Sequence, residues 1–266
     1  MSVNKPQIMG VLNITPDSFS DGGRFFDHTP AIQRAQEMSD QGADIIDIGG
    51  ESTRPGAAEV SVKDELNRVI PVIEALSEKI KLPISIDTSK PEVMQKALDA
   101  GASMVNDVCA LTNKAALEVV AQSGQDVCLM HMQGSPRTMQ KNPSYNNVVD
   151  DIKAFFEQRI KACVDSGIDF DKIILDPGFG FGKTLAHNLE ILSRFAEFKT
   201  FGLRTLAGLS RKSMIGSILG DRDVESRVIG SVTGAIIAVQ NGANIIRVHD
   251  VLETSDALRV LQAIDN

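Results

Sequence analysis

Several apolar runs in the sequence end in a polar side chain whose type suits ligand binding. In chain order these residues are Asn13, Asp47, Asp87, Asn106, His131, Asp176, Ser210, Arg247 and His249. Carboxylates and amides can bind the flat edge of a ring that bears adjacent N–H donors, such as a 2-amino-4-oxopyrimidine. Arg247 and His249 are two positions apart on one predicted strand, so both are expected on one side, where they could hold a phosphate or diphosphate. Asn13 offers a neutral oxygen suited to Mg²⁺.

Each of these residues has a second interpretation when it is taken alone. An isolated polar residue at a strand end is more often a cap or a turn former. His131 could equally be packed inside the protein. The set indicates a function only if the fold brings its members to one cavity. Carboxylates without partners or a ligand would destabilise the protein there. The elements that carry these residues therefore decide the interpretation.

A phrase that recurs along the chain indicates how those elements are organised. Gly42, Gly101 and Gly242 each precede a short linker and an apolar run that ends in a polar residue. Glycine in this place is typical of a helix C-terminus that leads into a strand. Looser copies follow Gly124 and Gly167. Three further apolar runs, 8–13, 83–87 and 206–210, bring the strand candidates to eight.

Stretches with helical periodicity separate these runs, among them 62–79, 152–164 and 224–240. Strict alternation of strands and helices predicts parallel strands joined by right-handed crossovers. Eight such units predict an α/β fold, a single-domain (βα)8 TIM barrel over residues 1–266, with its site at the C-terminal mouth of the strands. A doubly wound open sheet is the alternative, but it usually has fewer repeats and a Gly-rich first turn, which is missing here.

Composition narrows the classes of function. The 266 residues include 27 Lys and Arg against 35 Asp and Glu, a net charge of −8, which argues against nonspecific nucleic-acid or membrane binding. The apolar runs are too short for a transmembrane helix, and no signal segment is visible at the N-terminus. Three scattered cysteines, in no metal-ligand spacing, are typical of a reducing compartment. We therefore expect a cytoplasmic protein.

The stretch from Asp176 to Thr184, DPGFGFGKT, looks like a phosphate-binding P-loop. The pattern requires a glycine where Pro177 stands, so we reject nucleotide binding there. The glycines are expected to let the backbone turn sharply beside a ligand. Phe179 or Phe181 could offer a stacking face, and packing in the core is an equal alternative for both.

The sequence also contains longer motifs that are specific enough to be compared with those of known protein families. They are Asn13-Ile-Thr-Pro-Asp-Ser-Phe-Ser-Asp-Gly-Gly23, Asp47-Ile-Gly-Gly-Glu-Ser-Thr-Arg-Pro-Gly56, Ile86-Asp-Thr88, Asn106-Asp107, Met130-His-Met-Gln-Gly134, Asp176-Pro-Gly-Phe-Gly-Phe-Gly182, Ser210-Arg-Lys212 and Arg247-Val-His249. From end to end the chain resembles the dihydropteroate synthases, with no departure at the positions that can be matched.

The resemblance implies a transferase of folate biosynthesis, one of the enzymes that sulfonamides target. Its substrates would be (7,8-dihydropterin-6-yl)methyl diphosphate and 4-aminobenzoate. The residues implied for the pterin are Asp87, Asn106, Asp176 and Lys212, with Asp47 in support. Those implied for the diphosphate are Thr53, Arg247 and His249, and Asn13 is implied as the ligand of Mg²⁺. Those implied for 4-aminobenzoate are Phe19, Arg54, Pro55 and Phe181, with Ser210 to Ser213 near its carboxylate. Asp87, Lys212, Arg247 and His249 are the expected catalytic residues.

The family also suggests a homodimer, formed through the late barrel helices. Two rival functions remain open, a pterin-dependent methyltransferase and a noncatalytic pterin-binding relative. The Ser210-Arg-Lys212 motif and the loop after Asn13 favour the synthase over the methyltransferase. A noncatalytic relative should have lost part of the set Asn13, Arg54 and Lys212, and all three are present.

Overall fold

A closed ring of eight parallel strands forms the centre of the computed structural model, which describes residues 6–14, 28–52, 59–135 and 138–265. The strands are β1 (Gln7–Asn13), β2 (Ile45–Gly49), β3 (Ile84–Asp87), β4 (Met104–Asp107), β5 (Asp126–Met130), β6 (Ile173–Asp176), β7 (Arg204–Ala207) and β8 (Ile245–Val248). Each strand pairs with the next, and β8 pairs with β1. The predicted barrel is therefore confirmed, and the open sheet is wrong.

Helices cover the outside of the ring. Those of the described residues are α1 (Thr29–Asp40), α2 (Val62–Lys79), α3 (Pro91–Asp99), α4 (Lys114–Ser123), α5 (Val148–Asp165), α6 (Leu185–Ser193), α7 (Ser213–Ile218), α8 (Val228–Gln240) and α9 (Val251–Asp265). The helix predicted from residue 224 starts instead as a short 3-10 turn, Val224–Arg227, which precedes α8. None of the described helices combines the length and the apolar character that crossing a bilayer requires.

The recurring Gly-Ala phrase closes helices, as predicted. At the end of α1, the amide of Gly42 donates to the carbonyl of Ser39, and the amide of Ala43 donates to that of Met38. This pair of bonds is a Schellman motif, and Gly42 takes the left-handed backbone conformation that the motif needs, with φ +102°. The same two bonds end α3 and α8. The repeat therefore marks the point at which each helix turns back into a strand.

Side chains inside the ring change from apolar to polar along the strands. The floor of the interior is an apolar cluster: Met9, Ile45, Met104, Cys128, Ile174, Leu206 and Ile245. Alternate residues of a strand lie on the same face. Two positions beyond four floor residues come Asp47, Asn106, Asp176 and Arg247, each at or near the carboxyl end of its strand. The polar layer therefore lies at the C-terminal mouth, directly above a dry floor.

One strand ends earlier than predicted. The sequence predicts a strand from Leu206 to Ser210, whereas β7 ends at Ala207. Ser210 lies in the turn beyond it, where its hydroxyl contacts the backbone amide of His249 at 3.2 Å. Arg211, the next residue, has the left-handed conformation, with φ +60°, so an extended strand cannot continue through it.

Candidate active site

Arg247 lies between two carboxylates at the mouth of the barrel. Its Nε is 2.6 Å from Oδ2 of Asp47, and its Nη2 is 2.6 Å from Oδ2 of Asp87. Asn106 donates to the same Asp47 oxygen at 3.2 Å. Strands β2, β3, β4 and β8 contribute one residue each, so four of the predicted site residues meet as one network. Charge-assisted bonds of this kind hold side chains in fixed orientations.

Two atoms of this layer lack a hydrogen-bond partner among the described residues. Asp47 is fully buried, and its Oδ1 receives no hydrogen bond. The hydroxyl of Ser85, which is also buried, is unpartnered as well. Ser85 is the register partner of Asp47 across the β2–β3 pair. A buried polar atom without a hydrogen bond lowers the stability of the folded protein. Two such atoms in the polar layer are typical of a binding site, where a ligand can supply the missing partners.

Two carboxyls at the mouth, those of Asp87 and Asp176, have raised pKa values. Burial raises the pKa of Asp87 to about 7; Arg247 opposes the rise, and Asp47 adds to it. Burial also raises the pKa of Asp176, against the positive charge of Lys212 and a hydrogen bond from the Gly178 amide. Strongly shifted carboxyls in a shared cavity are typical of a functional site.

Asp176 is held by the turn that follows it. The amide of Gly178 donates to its Oδ1 at 2.8 Å. The ammonium of Lys212 reaches the same turn, where it donates to the carbonyl of Phe179 and lies 4.6 Å from the centre of the Phe181 ring. Burial lowers the pKa of Lys212 to about 8, although Asp176 opposes this. Lys212 is therefore a half-buried cation that lies over an aromatic face and is influenced by the charge of Asp176.

The two phenylalanines of this turn have different positions. Phe179 is fully buried and stacks on Phe195 with ring centres 6.2 Å apart, so it belongs to the core. Phe181 is half-buried beneath the Lys212 ammonium. The structure thus leaves Phe181 as the candidate stacking face.

Lys183 makes contacts unlike those of a P-loop lysine. Its Nζ lies 2.9 Å from the carbonyl oxygens of Gly178 and Phe181 and 3.2 Å from that of His131. A P-loop lysine points at phosphate, whereas this one is turned into its own loop. His131, whose role the sequence leaves open, is buried with Nδ1 3.1 Å from the same ammonium. Burial first, and then Lys183, lower the pKa of His131 to about 3, so this histidine is neutral packing.

His249 and Arg247 make different contacts, although they were predicted to act as a pair. Strand β8 ends at Val248, and His249 lies just beyond it with Nδ1 3.1 Å from the hydroxyl of Ser210. Arg247 is engaged with Asp47 and Asp87. Sequence patterning could not foresee this, because residues of β2, β3 and β8 meet only when the ring closes.

The remaining predicted residues are placed as follows. Asn13 ends β1, and its side-chain oxygen lies 3.6 Å from the position that a Cβ would take on Gly49; the side chain of Asp87 is equally near that position. Ser213 begins α7 directly after Lys212 and is exposed. Phe19, Thr53, Arg54 and Pro55 lie outside the described residues.

Sequence reasoning missed two contributors. Ser85 gave no signal, since a serine in an apolar strand is unremarkable. Lys183 did carry a signal, a lysine in a Gly-rich turn without the full P-loop pattern. A lysine that has no phosphate to bind there must find acceptors in the protein instead.

Comparison with known families, sequences and solved structures gives four matches. A family profile described as "Pterin binding enzyme" matches residues 9–249. The dihydropteroate synthase of Escherichia coli strain K12 is 52% identical over 99% of this chain and 93% of its own length. The Yersinia pestis dihydropteroate synthase, solved as a sulfonamide drug complex, is 51% identical with a TM-score of 0.94, covering 100% of this chain and 96% of that one. The Xanthomonas albilineans dihydropteroate synthase in complex with 7,8-dihydropteroate is 44% identical with a TM-score of 0.90, covering 100% and 95%.

Proposed function

The chain belongs to the dihydropteroate synthases within the family of pterin-binding enzymes, and we propose that the polar network at its barrel mouth is where it performs their reaction. It is a transferase of folate biosynthesis that condenses (7,8-dihydropterin-6-yl)methyl diphosphate with 4-aminobenzoate, releasing 7,8-dihydropteroate and diphosphate. The observation that carries the proposed location is the meeting of Asp47, Asp87, Asn106 and Arg247 above an apolar floor. The whole chain is assigned to this one barrel.

The pterin ring is bound in this proposal by Asp87, Asn106, Asp176 and Lys212. The ring edge offers adjacent N–H donors, which suit carboxylate acceptors, and Asn106 can both donate and accept. Asp47 acts through its neighbours, since it holds Asn106 and Arg247 by one oxygen. The buried setting strengthens each of these bonds because water does not compete for them.

Arg247, His249 and Thr53 are assigned to the diphosphate. Arg247 remains a cation throughout, because burial opposes its charge but Asp47 and Asp87 outweigh burial and raise its pKa. The same carboxylates neutralise Arg247 in part, so only a strongly anionic ligand can compete with them for its guanidinium. A diphosphate provides such a group and can compete for the guanidinium.

The donors present fit a Mg²⁺ ion that arrives with the substrate. Among the described residues no group of three or more His, Cys, Asp or Glu could hold a metal by itself. Asn13 supplies one oxygen at the mouth, and Mg²⁺ commonly takes one or two protein ligands, several waters and substrate phosphates. When bound, Mg²⁺ would neutralise charge on the leaving diphosphate.

The reaction is assigned a dissociative course. The bond from the exocyclic methylene to diphosphate oxygen breaks first, because the electron-rich dihydropterin can delocalise the positive charge. The amine of 4-aminobenzoate then attacks the methylene carbon and loses a proton to the diphosphate or to water. No activated nucleophile is found among the described residues of the site, which supports a route without a covalent enzyme intermediate. Charge stabilisation and positioning are the tasks of the protein.

The 4-aminobenzoate site is assigned to Phe181, Lys212 and Ser213, together with Phe19, Arg54 and Pro55. The Phe181 ring and the Lys212 ammonium lie together at the mouth, 4.6 Å apart. An aromatic face beside a cation suits a benzoate, since the ring can stack and the carboxylate can pair with the charge.

We also assign a homodimer and a cytoplasmic location. Ile229 is 80% exposed on α8, and Ile237 lies two turns along the same face. An exposed apolar stripe on a helix is typical of an interface. Replacing both isoleucines by glutamate should yield monomers in light scattering, whereas Val164→Glu at an exposed position of the earlier helix α5 should leave a dimer. The three cysteines are unpaired, which suits a reducing compartment.

A diphosphate-release assay tests the function. Release should require both the pterin diphosphate and 4-aminobenzoate. Arg247→Ala should cost at least ~2 kcal/mol of substrate binding, because a charged contact is truncated. Unchanged affinity and turnover in that variant would contradict the assignment. Calorimetric binding of the pterin without diphosphate release would instead support a noncatalytic pterin-binding protein.

A further inference from the structure

The turn between β6 and α6, residues 177–182, has an unusual set of partners. Five successive carbonyl groups, from Gly178 to Gly182, each accept a hydrogen bond from a side chain. The donors are Lys183 to Gly178 and Phe181, Lys212 to Phe179, Gln140 to Gly180 and Tyr145 to Gly182. Loops seldom satisfy their backbone so completely from side chains, since two-thirds or so of protein hydrogen bonds join backbone groups. The turn is therefore held as a rigid body.

Lys183 is the central donor. It is 3% exposed, and it lies within 2.9 to 3.2 Å of three carbonyl oxygens and the His131 ring nitrogen. No carboxylate of the described residues forms an ion pair with it. Burying an ammonium without a directly paired carboxylate is costly. Burial lowers the pKa of Lys183 to about 7, and the charge of Asp176 opposes that fall. Methionine would fill much of the same space but would leave the carbonyl oxygens of His131, Gly178 and Phe181 without this donor. The lysine is therefore needed for its hydrogen bonds to the turn and not for packing alone.

Residues 177–182 also hold two groups of the proposed site. The amide of Gly178, whose carbonyl Lys183 binds, fixes Oδ1 of Asp176. Phe181, whose carbonyl Lys183 also binds, carries the ring under Lys212. One side chain thus ties together the two residues of the turn on which the orientation of Asp176 and Phe181 depends.

We propose that Lys183 is a positioning residue of the active site, which locks the 177–182 turn so that Asp176 and Phe181 face the substrates in one orientation. The inference rests on the proposed function. It assigns no contact between Lys183 and substrate, because the side chain is buried and its ammonium is already within hydrogen-bond distance of three carbonyl oxygens and a ring nitrogen.

The test compares Lys183→Met with Lys183→Arg in the full-length enzyme, measuring kcat, KM for each substrate and thermal stability. In Lys183→Met, kcat/KM for the pterin diphosphate should fall about 10- to 100-fold, mostly through KM, as misplacement of a binding group does. Lys183→Arg keeps the charge and can still donate to several carbonyls, so it should recover to within about tenfold of the wild type.

The matched control is Arg204→Met. Arg204 is a cation at the opposite end of the barrel, where it pairs with Asp126 and donates to the carbonyl of Asp171. This variant should lose stability without any change in KM. A purely structural role for Lys183 predicts the same behaviour for both methionine variants, and that outcome would overturn the proposal.

Two further outcomes are decisive. If the wild type turns over and the kcat and KM values of Lys183→Met lie within about twofold of the wild-type values, the positioning role is refuted while the proposed function stands. Absence of turnover in the wild type would refute the proposed function itself. Should Lys183→Met fail to fold, Tyr145→Phe removes only the donor to Gly182. Its pterin KM should rise at least about threefold, with a small loss of stability from the missing hydrogen bond, and an unchanged KM would overturn the proposal.

Discussion

Arg211 and Asp250 form a two-pronged ion pair that joins the ends of two neighbouring strands. Nε of Arg211 is 3.0 Å from Oδ2 of Asp250, and Nη2 is 2.6 Å from Oδ1. The residues just before them are joined as well, through the Ser210 hydroxyl and His249. Arg211 adopts a left-handed backbone conformation to make this contact. Because Lys212 follows Arg211 directly, the pair fixes where that lysine leaves the backbone.

Asp250→Ala should therefore destabilise the protein and impair it. Loss of a partly buried, two-pronged pair should lower the free energy of unfolding by about 2 to 3 kcal/mol in urea titrations. The value of kcat/KM should fall with it, since Lys212 and His249 lose their common anchor. Arg259→Ala is the control, because its pair with Asp256 is exposed and spans 3.8 Å; it should change stability by less than about 0.5 kcal/mol. Equal effects from the two variants would contradict this prediction.

The pH dependence of kcat/KM should be a narrow bell. Asp87, with a pKa of about 7, must be ionised to accept hydrogen bonds from the pterin, so the rate constant should fall below that pH. Lys212, with a pKa of about 8, must be protonated, so it should fall again above that pH. The profile of kcat/KM reports these groups in the free enzyme. In Lys212→Arg the alkaline limb should disappear, because arginine stays protonated; persistence of that limb would assign it to another group.

Asp87→Asn should stabilise the ligand-free protein while abolishing its activity. The folded-state pKa of Asp87 is raised, so its contribution to stability is fully present below about pH 4 and is lost as the pH rises through 7. Asparagine removes that loss. The gain at pH 8 should be on the order of 1 kcal/mol, because a weakened hold on Arg247 offsets part of the relief. Chemical denaturation at pH 5 and pH 8 checks the sign: the advantage of the variant must grow with pH.

Gly178→Ala should damage the protein far more than Gly124→Ala. Both glycines have similar left-handed conformations, with φ +72° and φ +64°, so the conformational cost of alanine is about equal. A Cβ at Gly178 would overlap the carbonyl oxygen of His131, whereas a Cβ at Gly124 would meet nothing within 4 Å. We expect a loss of about 1 kcal/mol at Gly124 and of more than about 3 kcal/mol at Gly178. Comparable melting temperatures for the two variants would show that the turn can yield.

The order of the elements was readable from the sequence because it depends on local patterns. Gly42 closes a helix by its own backbone conformation, and apolar runs separated by helical periods dictate strands and crossovers. The polar residues at the strand ends, such as Asp87 and Asn106, were likewise readable, since the side-chain alternation of a strand assigns them to the inner face. Position along the chain was enough for both inferences.

Which of those residues contact one another was decided only by the closure of the barrel. Arg247 reaches Asp47 and Asp87, 200 and 160 positions away, because β8 pairs with β1 and so stands near β2 and β3. The sequence around Lys183 resembles a phosphate-binding loop, but in the fold its ammonium donates to the carbonyls of His131 and Gly178. The sequence determined which chemical groups lie at the mouth, through interactions of neighbours along the chain. Their charges and contacts were set by burial and by distant strands, which no local pattern encodes.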